Sequence, residues 1–565
     1  MIDSQRLEHV YLQARQTLLD LRLPGGYWEG ELSTSALSTA VAVSALAKVG
    51  GHEALVEAGV AWLAAHQNDD GGWGDTVVSF SNISTTLLCL AAFHLTGRAE
   101  RFADTLSRTR DWLAARYGST PEQIAEAVRA RYGKDRTFSV PILMTCALAG
   151  LVPWREVPSL PFELACFPQS WYRFLGLPVV SYALPALIAI GQAVHHHRGG
   201  WNPIRSAAIG PSLRVLASIQ PSNGGFLEAT PLTSFVALGL SSTGKGDHPV
   251  VRQCVDFIVA SVRPDGSWPI DTNLATWVTT LAVNALATAK DLDALDRREE
   301  LCAWLLNQQT HAKHPFTGAA PGAWGWTPLP GAVPDADDTP GAILALVNLQ
   351  ASWERWEEAA GWLYGLQNRD GGMPTFCRGW SGLPFDRSGS DLTAHALRAW
   401  KTIRRDERAE RAAFAYLARE QRPDGSWLPL WFGNQHAPDD INPTYGTSRV
   451  LAAYRDLGRW SDPEAQRGFA FLRAIQNADG GWGGAKDIPS SVEETALALD
   501  ALLALPEAKS DAAIARGLAW LMDAVEAGRL HEPTPIGFYF AKLWYFEKMY
   551  PIVWTVMALG RARHL

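Results

Sequence analysis

Cysteine is scarce in this chain of 565 residues. The six present (Cys89, Cys146, Cys166, Cys254, Cys302 and Cys377) lie far apart, without the short paired spacings of a disulfide framework or a zinc knuckle. They read as buried, reduced thiols. Positive charge is not concentrated anywhere either: 50 Lys and Arg are scattered among 58 Asp and Glu, for a net charge of −8, which excludes a basic stripe for nucleic acid. An apolar signal core is missing from the start, where Met1-Ile2-Asp3-Ser4-Gln5-Arg6 opens a polar helical pattern, so a cytoplasmic start is expected. No Asp-Asp-x-x-Asp run is present to hold magnesium for ionising a diphosphate.

Long charge-free runs are also rare. Phe174 to Val194 is long enough to span a bilayer, yet Gly176, Pro178 and Pro185 interrupt it. An inner helix buried on every side accounts for it better. The His195-His196-His197 run that follows has no carboxylate or cysteine spacing to make a metal site, because adjacent residues of a helix point in different directions; it reads as a surface helix end.

What the chain has in abundance is repetition. Trp62-Leu63 leads to Gln67-Asn68-Asp69-Asp70-Gly71-Gly72-Trp73, and the pattern returns at Trp362 to Met373, Tyr416 to Trp427 and Phe471 to Trp482. Weaker copies run through Gln220-Gly225-Phe226, Asp265-Gly266-Ser267-Trp268 and Gln309 to Trp324, and a degenerate one ends at Gly25-Gly26-Tyr27-Trp28. Each is a helix closed by a glycine turn with an aromatic packed over it. The segments between are apolar helices rich in Ala and Leu. Alternating helices of this kind predict an all-α fold of two α/α barrels, one spanning 22–260 and the other 1–21 with 261–565. The repeated glutamines and tryptophans are read as structural tiling.

Chemistry enters at Asp335-Ala336-Asp337-Asp338-Thr339, set between Gly325-Trp326 and the apolar Ile343-Leu344-Ala345-Leu346. Three carboxyls within four residues repel one another in a dry site, which keeps at least one protonated at neutral pH. Taken alone, the run reads more simply as a helix start capped by Asp337 or Asp338.

Together, the repeats and Asp335-Ala336-Asp337-Asp338-Thr339 resemble the squalene-hopene cyclase family of class II terpene cyclases, over nearly the whole chain and most strongly from about Trp268 onward. The resemblance implies a double-barrel fold, no cofactor and no metal. It makes Asp337 the proton donor and Asp335 and Asp338 its flanking carboxylates. The run Asp391-Leu392-Thr393-Ala394-His395 matches the segment bearing the family's donor-bonded histidine, with an imidazolium expected at His395. Tyr445 is matched to a tyrosine near the acid's reprotonation route. Trp277, Trp326, Phe376 and Trp431 are matched to substrate-facing aromatics, with Phe174 and Tyr539 as further candidates.

The activity so implied is acid-initiated cyclisation of a linear polyprenoid, squalene to a hopene-type product by default, with a shorter or aromatic-bearing prenyl chain as the alternative. An α/α-barrel glycoside hydrolase, a zinc prenyl-transferring enzyme and a lipid-binding barrel are the readings from other classes. The implied partners are an apolar polyprenoid and the cytoplasmic face of a membrane, held peripherally, with Leu160 to Leu177 as the candidate patch; a homodimer stays open. Departures from the family fall at Ser33-Thr34-Ser35-Ala36-Leu37-Ser38 and Ser84-Thr85-Thr86-Leu87-Leu88, which carry no acid, and at the longer loop Phe432 to Thr444.

Overall fold

The computed structural model describes every residue except 1–2, 134, 169–170, 173–174, 176–180, 316, 353–355, 377–386, 403–405 and 539–541; at 181 and 538 only the backbone is described. Helices dominate, and they form two closed rings. In the first, Ala36–Val49 packs on Ile83–Leu95, then Arg136–Leu148, Leu184–Arg198 and Thr230–Ser241, which returns to Ala36–Val49. The second closes in the same way through Ala275–Ala287, Asp338–Asn348, Ser390–Thr402, Pro443–Asp456, Val492–Leu502 and Tyr550–Ala562.

Composition explains which helices are inside. Every residue from Ala36 to Leu46 is buried, and these are Ala, Ser, Thr, Val and Leu, small enough to be surrounded by neighbours. A helix apolar all round is buried all round. The outer helix Ala512–Glu526 instead buries Ala513, Ile514, Gly517, Leu518, Leu521 and Val525, one face at helical spacing, and gives its other face to water.

The repeats tie the layers together by hydrogen bonds that satisfy helix ends. Trp73 Nε1 donates to the Leu63 carbonyl (2.9 Å), and the Trp427 and Trp482 indoles do the same to Leu417 and Leu472 (2.7 Å each). Gln67 Nε2 donates to the carbonyls of Gly71 (2.8 Å) and Thr105 (3.0 Å), joining its own turn to the next outer helix. Gly71 has φ +91°, and a Cβ there would stand 2.7 Å from the Arg108 carbonyl oxygen, so glycine is required twice over.

The same bonds locate the chain's crossings between barrels. The Trp28 backbone N–H donates to Thr279 Oγ1 (3.0 Å) of the second ring, whereas the Trp268 N–H donates to Thr39 Oγ1 (3.0 Å) of the first. The chain passes from one barrel to the other between Trp28 and Ala36 and returns between Trp268 and Ala275. The first helix, Ser4–Asp20, packs on Ala512–Glu526 and Tyr550–Ala562, where Arg563 forks onto Glu8 (2.6 and 2.9 Å).

The charge-free stretch Phe174 to Val194 ends inside the inner helix Leu184–Arg198, whose Leu184, Ile188, Ile190 and Val194 are buried. Among the described residues no helix is long and apolar enough to cross a membrane. His197 stacks on Trp154 with ring centroids 4.4 Å apart, and His195 reaches Ser206 (3.4 Å).

Candidate active site

A cavity of about 270 Å³ lies where the two barrels meet, lined from the first by Leu37, Leu88, Phe138 and Ile142 and from the second by Trp277, Trp326 and Phe376. Its walls are overwhelmingly apolar. The exceptions at its acidic end are Asp335, Asp337 and Asp338.

Local backbone decides which of the three carboxyls is free. The helix Asp338–Asn348 needs acceptors for its first N–H groups, and Asp335 Oδ1 takes those of Asp337 (2.8 Å) and Asp338 (2.7 Å). Capping therefore falls to Asp335 rather than to Asp337 or Asp338. Two further bonds fix the segment: the Asp335 N–H donates to the Trp324 carbonyl (3.1 Å) and the Ala336 N–H to the Thr375 carbonyl (2.9 Å). Asp338 Oδ1 is buried with no hydrogen-bond partner. Asp337 is left to face the cavity with its side chain 24% exposed, joined to His395 through Oδ1 and Nδ1 at 2.7 Å. Gly341 makes room for this pair, since a Cβ there would stand 2.9 Å from Thr280 Oγ1 and 3.6 Å from His395 Cε1.

Desolvation governs the protonation of the cluster. Burial, opposed by hydrogen bonds from Asp338 and from the Asp337 and Asp338 N–H groups, pushes Asp335 up to about 7. Asp338 is raised well above the usual range by burial and then by the Asp335 charge. Asp391 is also pushed to about 7, by burial and by the charge of Asp337, although its carboxyl accepts the Leu430 N–H (3.0 Å). The cluster is consequently proton-rich at neutral pH. His395 departs from the imidazolium expected of it: burial pushes it down to about 4, outweighing the bond to Asp337, so the ring is neutral at pH 7. A neutral imidazole still gives the Asp337 carboxyl a hydrogen-bond partner that orients it.

The sequence-matched aromatics gather around this end. Phe376 is the hub, with Trp326 at 6.3 Å, Trp431 at 6.1 Å edge-on and Tyr182 at 5.8 Å between ring centroids. Trp431 Nε1 donates to Thr375 Oγ1 (2.9 Å), which locks the indole in place. Trp277 meets the His395 ring edge-on at 6.1 Å and donates to Tyr550 Oη (3.0 Å). Tyr445 does not line the cavity. It is buried behind Phe432, 4.8 Å away, and against Trp554, 6.1 Å away, yet it feels the Asp337 and Asp391 charges, which add to the upward shift that burial gives its hydroxyl. Phe174 and Tyr539 lie outside the described residues.

Several lining residues had no distinguishing signal in the sequence. Tyr550 begins an apolar helix like any core tyrosine, Tyr182 sits in the charge-free stretch, and Phe432 belongs to the longer loop. Asp271, four residues after the turn at Asp265-Gly266-Ser267, is a fourth carboxyl on the cavity wall.

The squalene-hopene cyclase C-terminal domain matches residues 273–564, its N-terminal domain residues 12–198, and a prenyltransferase alpha-alpha toroid domain residues 183–322. A probable squalene–hopene cyclase of Sinorhizobium fredii is 24% identical over 100% of this chain and 98% of its own length. Enfumafungin synthase efuA of Hormonema carpetanum is 25% identical over 86% of this chain, which spans 42% of that longer protein. Among solved structures, ent-copalyl diphosphate synthase from Streptomyces platensis shares the fold at 20% identity, with a TM-score of 0.58 over 99% of both chains.

Proposed function

The chain belongs to the squalene-hopene cyclase family and is a class II terpene cyclase, and from that premise we propose that it cyclises a linear polyprene, with squalene as substrate and a hopene-type polycycle as product. Asp337 delivers its proton to a terminal alkene. The electron pair of the C=C bond forms the new C–H bond, the tertiary cation left behind is attacked by the next alkene, and the cascade ends when a proton is lost or water is captured. The observation that carries this reading is the Asp337–His395 pair, 2.7 Å apart, at the wall of an apolar cavity. Phe376, Trp326, Trp431 and Trp277 line the cavity, where a ring face turned to a passing cation contributes roughly 0.5–2 kcal/mol. Apolar walls keep water from quenching it.

The lining speaks against the rival classes. A glycoside hydrolase needs polar groups for sugar hydroxyls, and the described lining is mostly aromatic and aliphatic. A second reading within the class, a shorter prenyl chain, is favoured by the cavity volume of about 270 Å³, at the lower edge of the roughly 300–1,000 Å³ usual for ligand pockets. Incubating the purified enzyme with squalene and with shorter polyprenes, and identifying products by mass spectrometry, tests both. Cyclic product from wild type, and roughly 10²–10⁴-fold less of it from Asp337→Asn, is the expected result; acyclic substrate recovered throughout would overturn the reading.

Such a substrate resides in lipid, so we place the enzyme at the cytoplasmic face of a membrane, held peripherally. The candidate stretch Leu160 to Leu177 contributes exposed Phe167, Trp171 and Leu175, and the patch extends to Trp201 (91% exposed) and Ile204 (72%). These last flank the start of the Pro203–Ile219 helix, which packs on Phe162–Cys166. Flotation with liposomes should be lost on changing Trp201 and Ile204 to Ser, while activity toward detergent-dispersed substrate is kept.

A further inference from the structure

Asp271 is a carboxyl that the cascade does not use, although it faces the same apolar cavity. Its backbone is held in place: Ala229 and Asp271 pair as an antiparallel bridge, and the Thr230 N–H donates to the Ile270 carbonyl (3.2 Å). One of its oxygens, Oδ1, accepts the Thr272 N–H (2.7 Å). Its neighbour Glu228 is fully buried and already satisfied by the Gly331 N–H (2.6 Å), the Asn223 amide (2.8 and 3.0 Å) and the Thr272 hydroxyl (3.2 Å).

The backbone beside this pair is strained. Leu227 and Glu228 are consecutive non-glycine residues in the left-handed region, with φ of 57° and 56°. That conformation is costly for residues with a Cβ and persists where the surroundings over-determine it, which is commonest at ligand sites. Leu227 itself lines the cavity. Two acids so placed share their charge unequally. Burial first, and the Glu228 charge second, hold the Asp271 carboxyl well above the usual range, against the opposing pull of the Thr272 N–H and the Trp326 indole.

A protonated carboxyl has both a donor and an acceptor to offer. A pure hydrocarbon can meet neither, and a polar group walled in by hydrocarbon loses its water without compensation. A carboxyl pre-positioned beside strained backbone in an otherwise greasy cavity is instead suited to one neutral oxygen. We propose that Asp271 binds a neutral hydroxyl oxygen inside the cyclisation cavity, either a water molecule or a hydroxyl carried by the prenyl chain.

This inference rests on the cyclase reading and sharpens it. With water as the source, its oxygen donates an electron pair to the cation that reaches it, a C–O bond forms, and the oxonium proton passes to a second water molecule, so the product is a cyclic alcohol. With a substrate hydroxyl as the source, the bond to Asp271 fixes how the chain lies relative to Asp337.

The experiment has two arms. In the first, the wild-type enzyme, Asp271→Asn and Asp271→Leu turn over squalene in ¹⁸O-labelled water, and mass spectrometry reads the label in the product. In the second, binding of farnesol and of farnesene to each protein, made in an Asp337→Asn background to prevent turnover, is followed by tryptophan fluorescence. The wild type is expected either to yield labelled alcohol or to prefer farnesol by about tenfold, the value of one good hydrogen bond. Asp271→Leu should abolish whichever effect is seen, and Asp271→Asn, which still offers a donor and an acceptor, should keep part of it. The proposal falls if neither label nor preference occurs in the wild type, or if either survives in Asp271→Leu with a melting temperature like that of the wild type. Failure of the cyclase reading looks different: no polyprene is converted at all, and the binding arm alone then decides on Asp271.

Discussion

Each barrel brings an acidic side chain to the place where barrel meets barrel, and the two are engaged in opposite ways. Asp75, from the first, is bonded to the protein through both oxygens: Oδ1 accepts from Asn82 Nδ2 (2.8 Å) and from the Thr85 hydroxyl, and Oδ2 accepts the Trp544 N–H (2.8 Å), which staples the first barrel to the Leu543–Tyr545 strand of the second. Asp337, from the second, has the His395 bond and then the cavity. Desolvation acts strongly on both regions, raising Asp75 as it raises Asp335 and Asp338. What separates them is spare hydrogen-bonding capacity. An acid with both oxygens bonded to the protein holds a fold together; Asp337, with Asp335 and His395 behind it, keeps a face open to the cavity.

The largest test of that contrast is Asp337→Asn. An amide keeps the shape and the bond to His395 but has no proton of useful acidity, so turnover should fall by roughly 10²–10⁴-fold with the melting temperature unchanged. His395→Ala should cost about 10²-fold in rate without altering the product ratio, because the cavity still folds the chain once the proton has arrived. A changed ratio at an unchanged rate would move His395 from the acid to the cavity wall.

Asp75→Ala reverses the pattern. It strands the Asn82, Thr85 and Trp544 donors and should remove about 3 kcal/mol of stability, seen in denaturant unfolding, while residual folded enzyme keeps its product ratio. Phe376→Leu is smaller still: it removes the hub ring, which should slow the reaction by roughly 0.5–2 kcal/mol of barrier and release products with fewer rings. If stability drops and products do not change, the ring is packing alone.

The last and gentlest test is pH. Asp335 and Asp391 titrate near 7 in the folded protein, against about 3.9 when unfolded. The folded state thus holds more protons than the unfolded one between these values, so the contribution of these groups to stability is complete below about pH 4 and is lost as pH rises through about 7. Loss of the protons that this cluster holds at neutral pH should also lower the rate in the same window. A profile that rises from pH 6 to 8 would contradict the assignment.

The helical rings and their ties were legible because periodicity and turn chemistry are local. Gln67, Gly71 and Trp73 announce a closed helix end whatever surrounds them, and small-residue helices such as Ala36–Val49 announce burial on every side. Asp335, Asp337, Asp338 and His395 were legible as motif residues. Their division of labour was not, since which carboxyl caps the helix depends on backbone geometry around Ala336, and which nitrogen base is charged depends on how much water the fold removes. Tyr445, matched by sequence, is one layer behind the wall, while Tyr550 and Asp271, unmarked by any pattern, are on it.

By itself, then, the sequence determined two rings of helices, the tiling that closes them and the acidic motif that marks the family, because each is written in residues a few positions apart. Only the tertiary structure decided that Trp28 closes on Thr279 while Trp268 closes on Thr39, that the cavity forms between the barrels, and that Asp271 opens onto it. Those outcomes depend on contacts between residues hundreds of positions apart, where burial and hydrogen-bond supply are set by the whole fold and leave no local trace.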